Sequence, residues 1–369
     1  MSQNNLYKGF EVELFTGSLN SHIGVSDEIE KIFPDFVKEP DNRNVEYITT
    51  PEKDYGSLYE KLKIPRKKLR RWLNKKDLTI IPSSTLCFEH DIQFQRSDIN
   101  NLYHQFIQDN YGTAIATSSV HINIGIDDLD KLFAAIRLTR SEAALYLSLS
   151  ASSPFLNNEI TENHSQRWMQ FPKTPSKVPF FVNHDSYIAW IEKNIANKNM
   201  QNIRHFWSSI RPNGPQRPLI LDRLELRICD FVHDINLLLG ITAMIELRIL
   251  NLFENINTLD PMNASTFSLD ELSEICDQNE INAAKDSLNS ELIHWEDGKR
   301  VICSEWIQNL LSDLSSTAEG FGMKHLLDPI YKVLEEGNQS MKWINQYEKG
   351  LSIEQIMKIS IEDMIRSEA

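Results

Sequence analysis

The sequence predicts an α+β fold, an antiparallel sheet with flanking helices and a helical C-terminal region. Three observations carry it. Four short segments alternate apolar and polar residues with the two-residue period of a strand that has one face on a core. Helical stretches and clusters of turn residues separate those segments. From Val232 onward the pattern is helical. The chain therefore divides into a sheet-bearing core, residues 1–258, and a helical region, residues 259–369, packed on it, with 261–268 as the linker.

Taken in order, Gly9-Phe-Glu-Val-Glu-Leu-Phe15 sets Glu11 and Glu13 on one side of a strand and Phe10, Val12 and Leu14 on the other. A helical stretch over 26–33 follows, then a turn, Glu39-Pro-Asp-Asn-Arg43, leading into a strand over 44–49 with Glu46 between Val45 and Tyr47. A helix over 55–73 bears a basic run, 65–76, read as a solvated face. Residues 79–82 form a strand that stops at Pro82, before the hydroxyl-rich loop Ser83, Ser84, Thr85. In 119–125, His121 and Asn123 lie opposite Val120, Ile122 and Ile124. Asp127 or Asp128 caps one long helix reaching 151, in which Arg140 and Glu142 read as surface or intrahelical charges.

The stretch 157–179 is a long polar loop, a kind of segment that in a compact protein is usually functional or disordered. It holds His164, Arg167 and Trp168 together, which favours function, since an arginine can clasp a carboxylate bidentately. A helix over 185–196 and a strand over 204–210 lead to Arg211, and the next strand sets Arg223, Glu225 and Arg227 opposite Leu224, Leu226 and Ile228. The apolar stretch 235–253 is interrupted by Glu246 and Arg248 and reads as a buried helix, not a membrane span. Ser268 and Ser352 open helices with capping boxes, and the glycines of Gly320-Phe-Gly322 mark a break between helices.

The net charge of −14 argues against nucleic acid or an anionic membrane as the main partner. Four cysteines without a C-x-x-C pair, and an N-terminus without an apolar signal region, fit a reducing, cytoplasmic setting. No phosphate-cradling G-x-x-x-x-G-K-[ST], no G-x-G-x-x-G after a strand and no G-x-S-x-G occurs. What stands out is the polar face of the strands, which carries Glu, His, Asn and Arg in place of the Lys, Thr and Ser of an ordinary wet sheet. Four carboxylates in one sheet would raise one another's pKa or need a counter-cation, and hard divalent cations suit carboxylate oxygens.

Six motifs in order, Gly9–Glu13, Val45–Thr49, Val120–Gly125, the Ala144–Phe155 run, His164–Trp168 and Arg211–Asp230, resemble the bacterial glutamate–cysteine ligases of the carboxylate–amine ligase type, most closely the glutathione-making branch of photosynthetic bacteria. The resemblance runs from Lys8 to about Ala243 and implies a glutamine-synthetase-like curved antiparallel sheet that binds ATP, magnesium (manganese as the alternative), glutamate and cysteine. It implies Glu11, Glu13, Glu46 and Glu225 as metal ligands, and His121 and Asn123 at the metal or nucleotide phosphates. Arg211, Arg223 and Arg227 are implied at the transferring phosphoryl group, Arg211 and Arg227 also at the nucleotide, and Arg167 at a substrate carboxylate. The oligomeric state stays open, a homodimer included. Three other functions compete: a γ-glutamyl ligase with another amine acceptor, a guanidino-type phosphotransferase on the same fold, and a non-catalytic binding module.

Overall fold

The computed structural model describes residues 5–88 and 93–368. Its main sheet has seven strands: β1 (Lys8–Gly17), β2 (Phe36–Lys38), β3 (Asn44–Ile48), β4 (Thr79–Ile81), β5 (Val120–Gly125), β6 (Ile210–Asn213) and β7 (Arg223–Leu226). They pair antiparallel in the order β2-β3-β1-β5-β7-β6, and β4 joins the C-terminal end of β1. The four strands β1, β3, β5 and β7 keep the alternation read from the sequence. Phe10, Val12, Leu14, Val45, Tyr47, Val120, Ile122, Ile124, Leu224 and Leu226 are buried on one face. Withdrawing a side chain of that size from water contributes about 1.5–3 kcal/mol, so the face fixes the register of every strand. Helix Leu129–Ser141 packs on the β6 and β7 side of this layer, and helix Tyr55–Leu73 meets helix Ile235–Glu254.

One continuous buried cluster joins the sheet's apolar face to residues of the C-terminal helices, among them Leu272, Ile307, Leu311 and Met364. Segment 261–268 is not an open linker. It contains a short helix, Pro261–Ala264, and the preceding Asp260 is buried and clasped by Arg137 through contacts of 2.8 and 2.5 Å. Helix Ile235–Glu254 is the one described helix long and apolar enough to cross a membrane, yet its Glu246 is wholly buried. That carboxylate accepts from Lys8 Nζ at 2.8 Å, Tyr55 Oη at 2.7 Å and the Leu6 amide at 2.6 Å. The partners fit it to a protein interior, as the sequence implied.

Several elements depart from the sequence reading. The single helix expected to 151 is two, Leu129–Ser141 and Ala143–Ser150, capped by Asp128. The break falls at Glu142, with φ −110° and ψ 5°, and its side chain enters the core to meet Arg248 at 2.8 Å. Arg140 is likewise buried and donates to Pro179 O and Ser273 Oγ. Neither is a surface charge. The basic helix hides two of its cations as well: Arg66 donates to Tyr47 Oη and the carbonyls of Val232 and His233, and Arg70 pairs with Glu368. No strand runs from 204 to 210. Asn202 caps a short turn, Ile203–His205, and β6 begins only at Ile210.

The Glu142–Arg248 pair gives a stability prediction. Removing one partner strands a buried charge, so Arg248→Leu lowers unfolding free energy by about 3–5 kcal/mol in urea titrations. The double variant Glu142→Leu/Arg248→Leu recovers most of that loss.

Candidate active site

Register assembles the site. β1 pairs with β3 so that Glu13 faces Glu46, and with β5 so that Glu11 faces His121. β5 pairs with β7 so that Asn123 faces Glu225, and β7 with β6 so that Glu225 faces Arg211. Residues opposite one another in an antiparallel pair share a face. The polar residues that the alternation singled out on these strands therefore share the side away from the core.

Two sets of oxygen and nitrogen donors close to within 4.8 Å of one another: Glu11, Glu46 and His121, and Glu13, Glu39 and Glu46. His121 Nδ1 is 3.0 Å from Glu11 Oε2, and its Nε2 is 3.1 Å from Ser119 Oγ. Ser119 Oγ in turn donates to Glu13 Oε2 at 2.7 Å. Burial pushes Glu46 well above the usual carboxylate range, and its neighbours Glu39, Glu11 and Glu13 push it further. Burial and Glu13 likewise raise Glu39, to about 8. Carboxylates so placed are the donor set that hard divalent cations take, and a cation there would relieve their repulsion.

The other half of the face is neutralised by arginine. Glu225 is fully buried, which alone would raise its pKa, yet Arg211 and Arg227 hold it well below the ordinary value. Arg211 binds it bidentately (Nε to Oε2 2.8 Å, Nη2 to Oε1 3.0 Å), Arg227 Nη1 reaches Oε1 at 2.5 Å, and Asn213 Nδ2 donates to Oε2 at 2.7 Å. Burial and Glu225 act to raise Glu11, but His121 and Arg227 leave it lowered. Glu225 Oε1 lies 3.7 Å from His121 Nδ1, next to the Glu11, Glu46 and His121 set without belonging to it. For Glu225 to serve as a ligand, as the resemblance implies, Arg227 must share Oε1.

Arg223 stands apart from that trio. Its Nε donates to Asn123 Oδ1 at 3.2 Å and its Nη1 to Asp222 at 2.7 Å. It lines a cavity of about 560 Å³ with Gly9, Glu11, Ile48, Thr49, Pro51 and Asn123, opening at the Glu11 end of the face. Arg167 departs from the bidentate clasp expected of it. It is buried, and its Nη1 and Nη2 donate to the carbonyls of Ile228 and Arg227 at 3.0 and 3.1 Å, which pins the chain beyond β7. Only its Nε lacks a partner, as does Arg227 Nε. His164 of the same expected loop is docked too, its Nδ1 2.6 Å from Ser287 Oγ.

Sequence reasoning missed Glu39, which it placed in a turn. β2 is three residues long, too short to read, but its pairing with β3 sets Val37 opposite Glu46 and so brings Glu39 alongside.

A model described as Glutamate-cysteine ligase family 2 (GCS2) matches residues 7–367. Provisionally named glutamate–cysteine ligases 2 are similar: from Gloeobacter violaceus, 25% identical over 239 residues, 63% of this chain and 60% of the relative; from Sorangium cellulosum, 22% identical over 66% of this chain and 62% of the relative; and from Solibacter usitatus, 24% identical over 81% of this chain and 75% of the relative. The match thus spans less than two thirds of the first two. Among solved structures, the glutamate–cysteine ligase of Francisella tularensis in complex with AMP superposes with a TM-score of 0.76 at 14% identity, covering 100% of this chain and 90% of that one. A bifunctional glutathione synthetase from Pasteurella multocida gives 0.75 at 14% identity, covering 98% of this chain and 52% of that one. The α+β, glutamine-synthetase-like fold is the one expected.

The raised carboxylates make metal-free stability depend on pH. A carboxyl that titrates near 8 when folded and near 4.5 otherwise costs stability while ionised, and the cost is relieved as pH falls through that window. With chelator present, Tm rises as pH is lowered from 8 to 6. Saturating magnesium abolishes that slope, and Glu46→Gln raises Tm at pH 8 only in the chelated protein, by about 2–4 °C.

Proposed function

The chain belongs to glutamate–cysteine ligase family 2, and from that membership we propose that it is an ATP-dependent ligase joining the γ-carboxylate of glutamate to the amine of cysteine. The products are γ-glutamylcysteine, ADP and phosphate, the first step of glutathione biosynthesis. The observation that carries this reading is the split polar face, with crowded carboxylates on one half and arginines on the other. Four buried cysteines, none of them disulfide-bonded, fit a cytoplasmic enzyme.

A carboxylate does not acylate an amine at neutral pH, because oxide is a poor leaving group. In this reading the γ-carboxylate attacks the γ-phosphorus of ATP, and ADP leaves. The cysteine nitrogen then attacks the acyl carbon of the γ-glutamyl phosphate; phosphate leaves and the nitrogen sheds a proton. Two anions must meet in the first step, so the work is positioning and charge neutralisation. Glu13, Glu39 and Glu46, and Glu11, Glu46 and His121, are the residues that would hold divalent cations. Magnesium, or manganese, supplies positive charge there against the approach of the two anions.

The chain's own cations do the rest. Arg211 is fixed by Glu225 and by its bond to Phe206 O at 2.7 Å, so it holds its geometry before substrate arrives. Arg227 keeps an unpartnered Nε for an incoming oxyanion. Arg223 and Asn123 border the cavity at the Glu11 end, which we assign to the nucleotide. Arg167 steadies the backbone of Arg227 and offers a substrate one donor, its Nε.

Phosphate release from ATP should require both glutamate and cysteine. Equal turnover with 2-aminobutyrate or serine would remove cysteine from the name, and a stable phosphorylated acceptor without free phosphate would place the protein among guanidino-type phosphotransferases. Glu13→Gln lowers kcat by ~10²–10³, the usual loss for one preorganised charge-stabilising group. Arg223→Ala, a partly exposed site, raises KM for ATP about tenfold and leaves Tm unchanged.

A further inference from the structure

The polar face has two ends. Gly9, Glu11, Asn123 and Arg223 border the nucleotide cavity at one end, while Glu13, Glu46 and Glu39 lie farther along β1 and β3 at the other. Next to that face, two residues before Phe206, whose carbonyl accepts from Arg211 Nη1 at 2.7 Å, stands Arg204. Its backbone is held on a short turn, Ile203–His205, capped by the Asn202 side chain, which accepts from the Arg204 amide at 2.9 Å. His205 Nε2 is bound to Tyr111 Oη at 2.6 Å and its ring packs edge-on to Trp207, with centroids 4.7 Å apart. Arg217 Nη2 grips Ile203 O at 2.9 Å. A rigid turn therefore presents an arginine whose side chain is exposed and which makes no side-chain hydrogen bond or ion pair among the described residues.

Its neighbours define what it faces. Arg204 lies within electrostatic reach of Glu39 and of Tyr103, and Tyr103 is in turn within reach of Glu39, Tyr111 and Arg211. Glu39 belongs to the carboxylate set that would hold a cation. Glu39, the Tyr103 phenol and the Arg204 guanidinium thus share one electrostatic neighbourhood, with Tyr111 beside Tyr103. An anion bound at Arg204 and another group at the cation would be linked by a small molecule carrying a carboxylate at each end.

We infer that Arg204 receives the α-carboxylate of the γ-glutamyl donor, with Tyr103 beside it, and so selects a dicarboxylic amino acid. This assignment rests on the ligase reading of the same site. The donor's γ-carboxylate must sit between the cation ligands and the nucleotide for phosphoryl transfer. Its far end must then point away from the Arg223 cavity, toward the Glu39 side, where Arg204 is a cation that no described side chain engages. A guanidinium suits the task because its planar donors match a carboxylate. Arg167, whose Nη donors are already engaged, does not.

The test uses the full chain with magnesium and ATP. Arg204→Gln should raise KM for glutamate by ~10–10², with KM for ATP, KM for cysteine and Tm unchanged. Arg204→Lys should recover part of the loss. Isothermal titration of glutamate into protein loaded with magnesium and a non-hydrolysable ATP analogue should show the same weakening. Wild-type enzyme should prefer glutamate over 4-aminobutyrate, which lacks the α-carboxylate, and Arg204→Gln should lose most of that preference. A rise in KM for cysteine alone would overturn the assignment in favour of the acceptor, and unchanged constants for both would overturn it outright. If wild-type protein releases no phosphate with glutamate and any amine, the ligase reading fails, which is a different result from an active but unaffected variant.

Discussion

Like-charge repulsion on one sheet face is the constraint to which the rest of the molecule answers. Two glutamates two residues apart on β1 must share a face, and pairing with β3 and β5 brings Glu46 and His121 against them. The protein neutralises only half of that charge. Arg211 and Arg227 leave Glu225 and Glu11 ionised at ordinary pH, whereas burial and mutual repulsion leave Glu39 and Glu46 short of positive charge. A fold maximising its own stability would have placed a lysine or an apolar side chain there. Deficits of this kind concentrate where a ligand is to be bound.

A sheet carrying such a deficit needs firm support beneath, and much of it is ionic. Lys8 opens β1 and is tied to Glu246 of the core helix, Arg137 holds Asp260, and Arg70 holds the C-terminal Glu368. Asp230, just past β7, accepts from the Ser152 amide and from the hydroxyls of Ser153 and Ser165. Arg167, from the same short helix region as Ser165, secures the carbonyls of Arg227 and Ile228. Buried pairs of this sort add little net stability, since desolvation offsets most of the attraction, but breaking one leaves an uncompensated charge. Their effect here is to hold the backbone of the arginine-bearing strand in one place.

Much of this was legible in the sequence because the two-residue period is both a strand signal and a face assignment. Glu11, Glu13, Glu46, His121, Asn123, Glu225 and Arg227 declared their common side without any structure. What stayed hidden depended on tertiary partners. Glu39 follows a three-residue strand flanked by Pro34 and Pro40, so no alternation could register. Glu142 and Arg66 look like helix surface charges because local pattern cannot reveal a partner such as Arg248, 106 residues away in sequence. Arg204 sits in a turn built from aromatic packing around His205, which carries no period at all.

The unequal neutralisation also argues for an order of events. Glu11 and Glu225 carry two negative charges and Arg211 and Arg227 two positive ones, so that half of the face attracts a cation weakly. Among the described residues no arginine is bonded to Glu13, Glu39 or Glu46, and their half attracts a cation strongly. On the proposed function the first divalent cation would therefore go to Glu13, Glu39 and Glu46. A triphosphate entering from the Arg223 end would, on the same proposal, meet arginines first, and Arg211 and Arg227, both bonded to Glu225 Oε1, would have to turn toward its phosphate oxygens together to free that oxygen, 3.7 Å from His121 Nδ1. On that reading Glu225 serves twice, orienting the arginines before the nucleotide arrives and offering an oxygen beside Glu11 and His121 once they are drawn away. Its complete burial and four donors are what such a double role requires, because a mobile carboxylate could not be released at a fixed position.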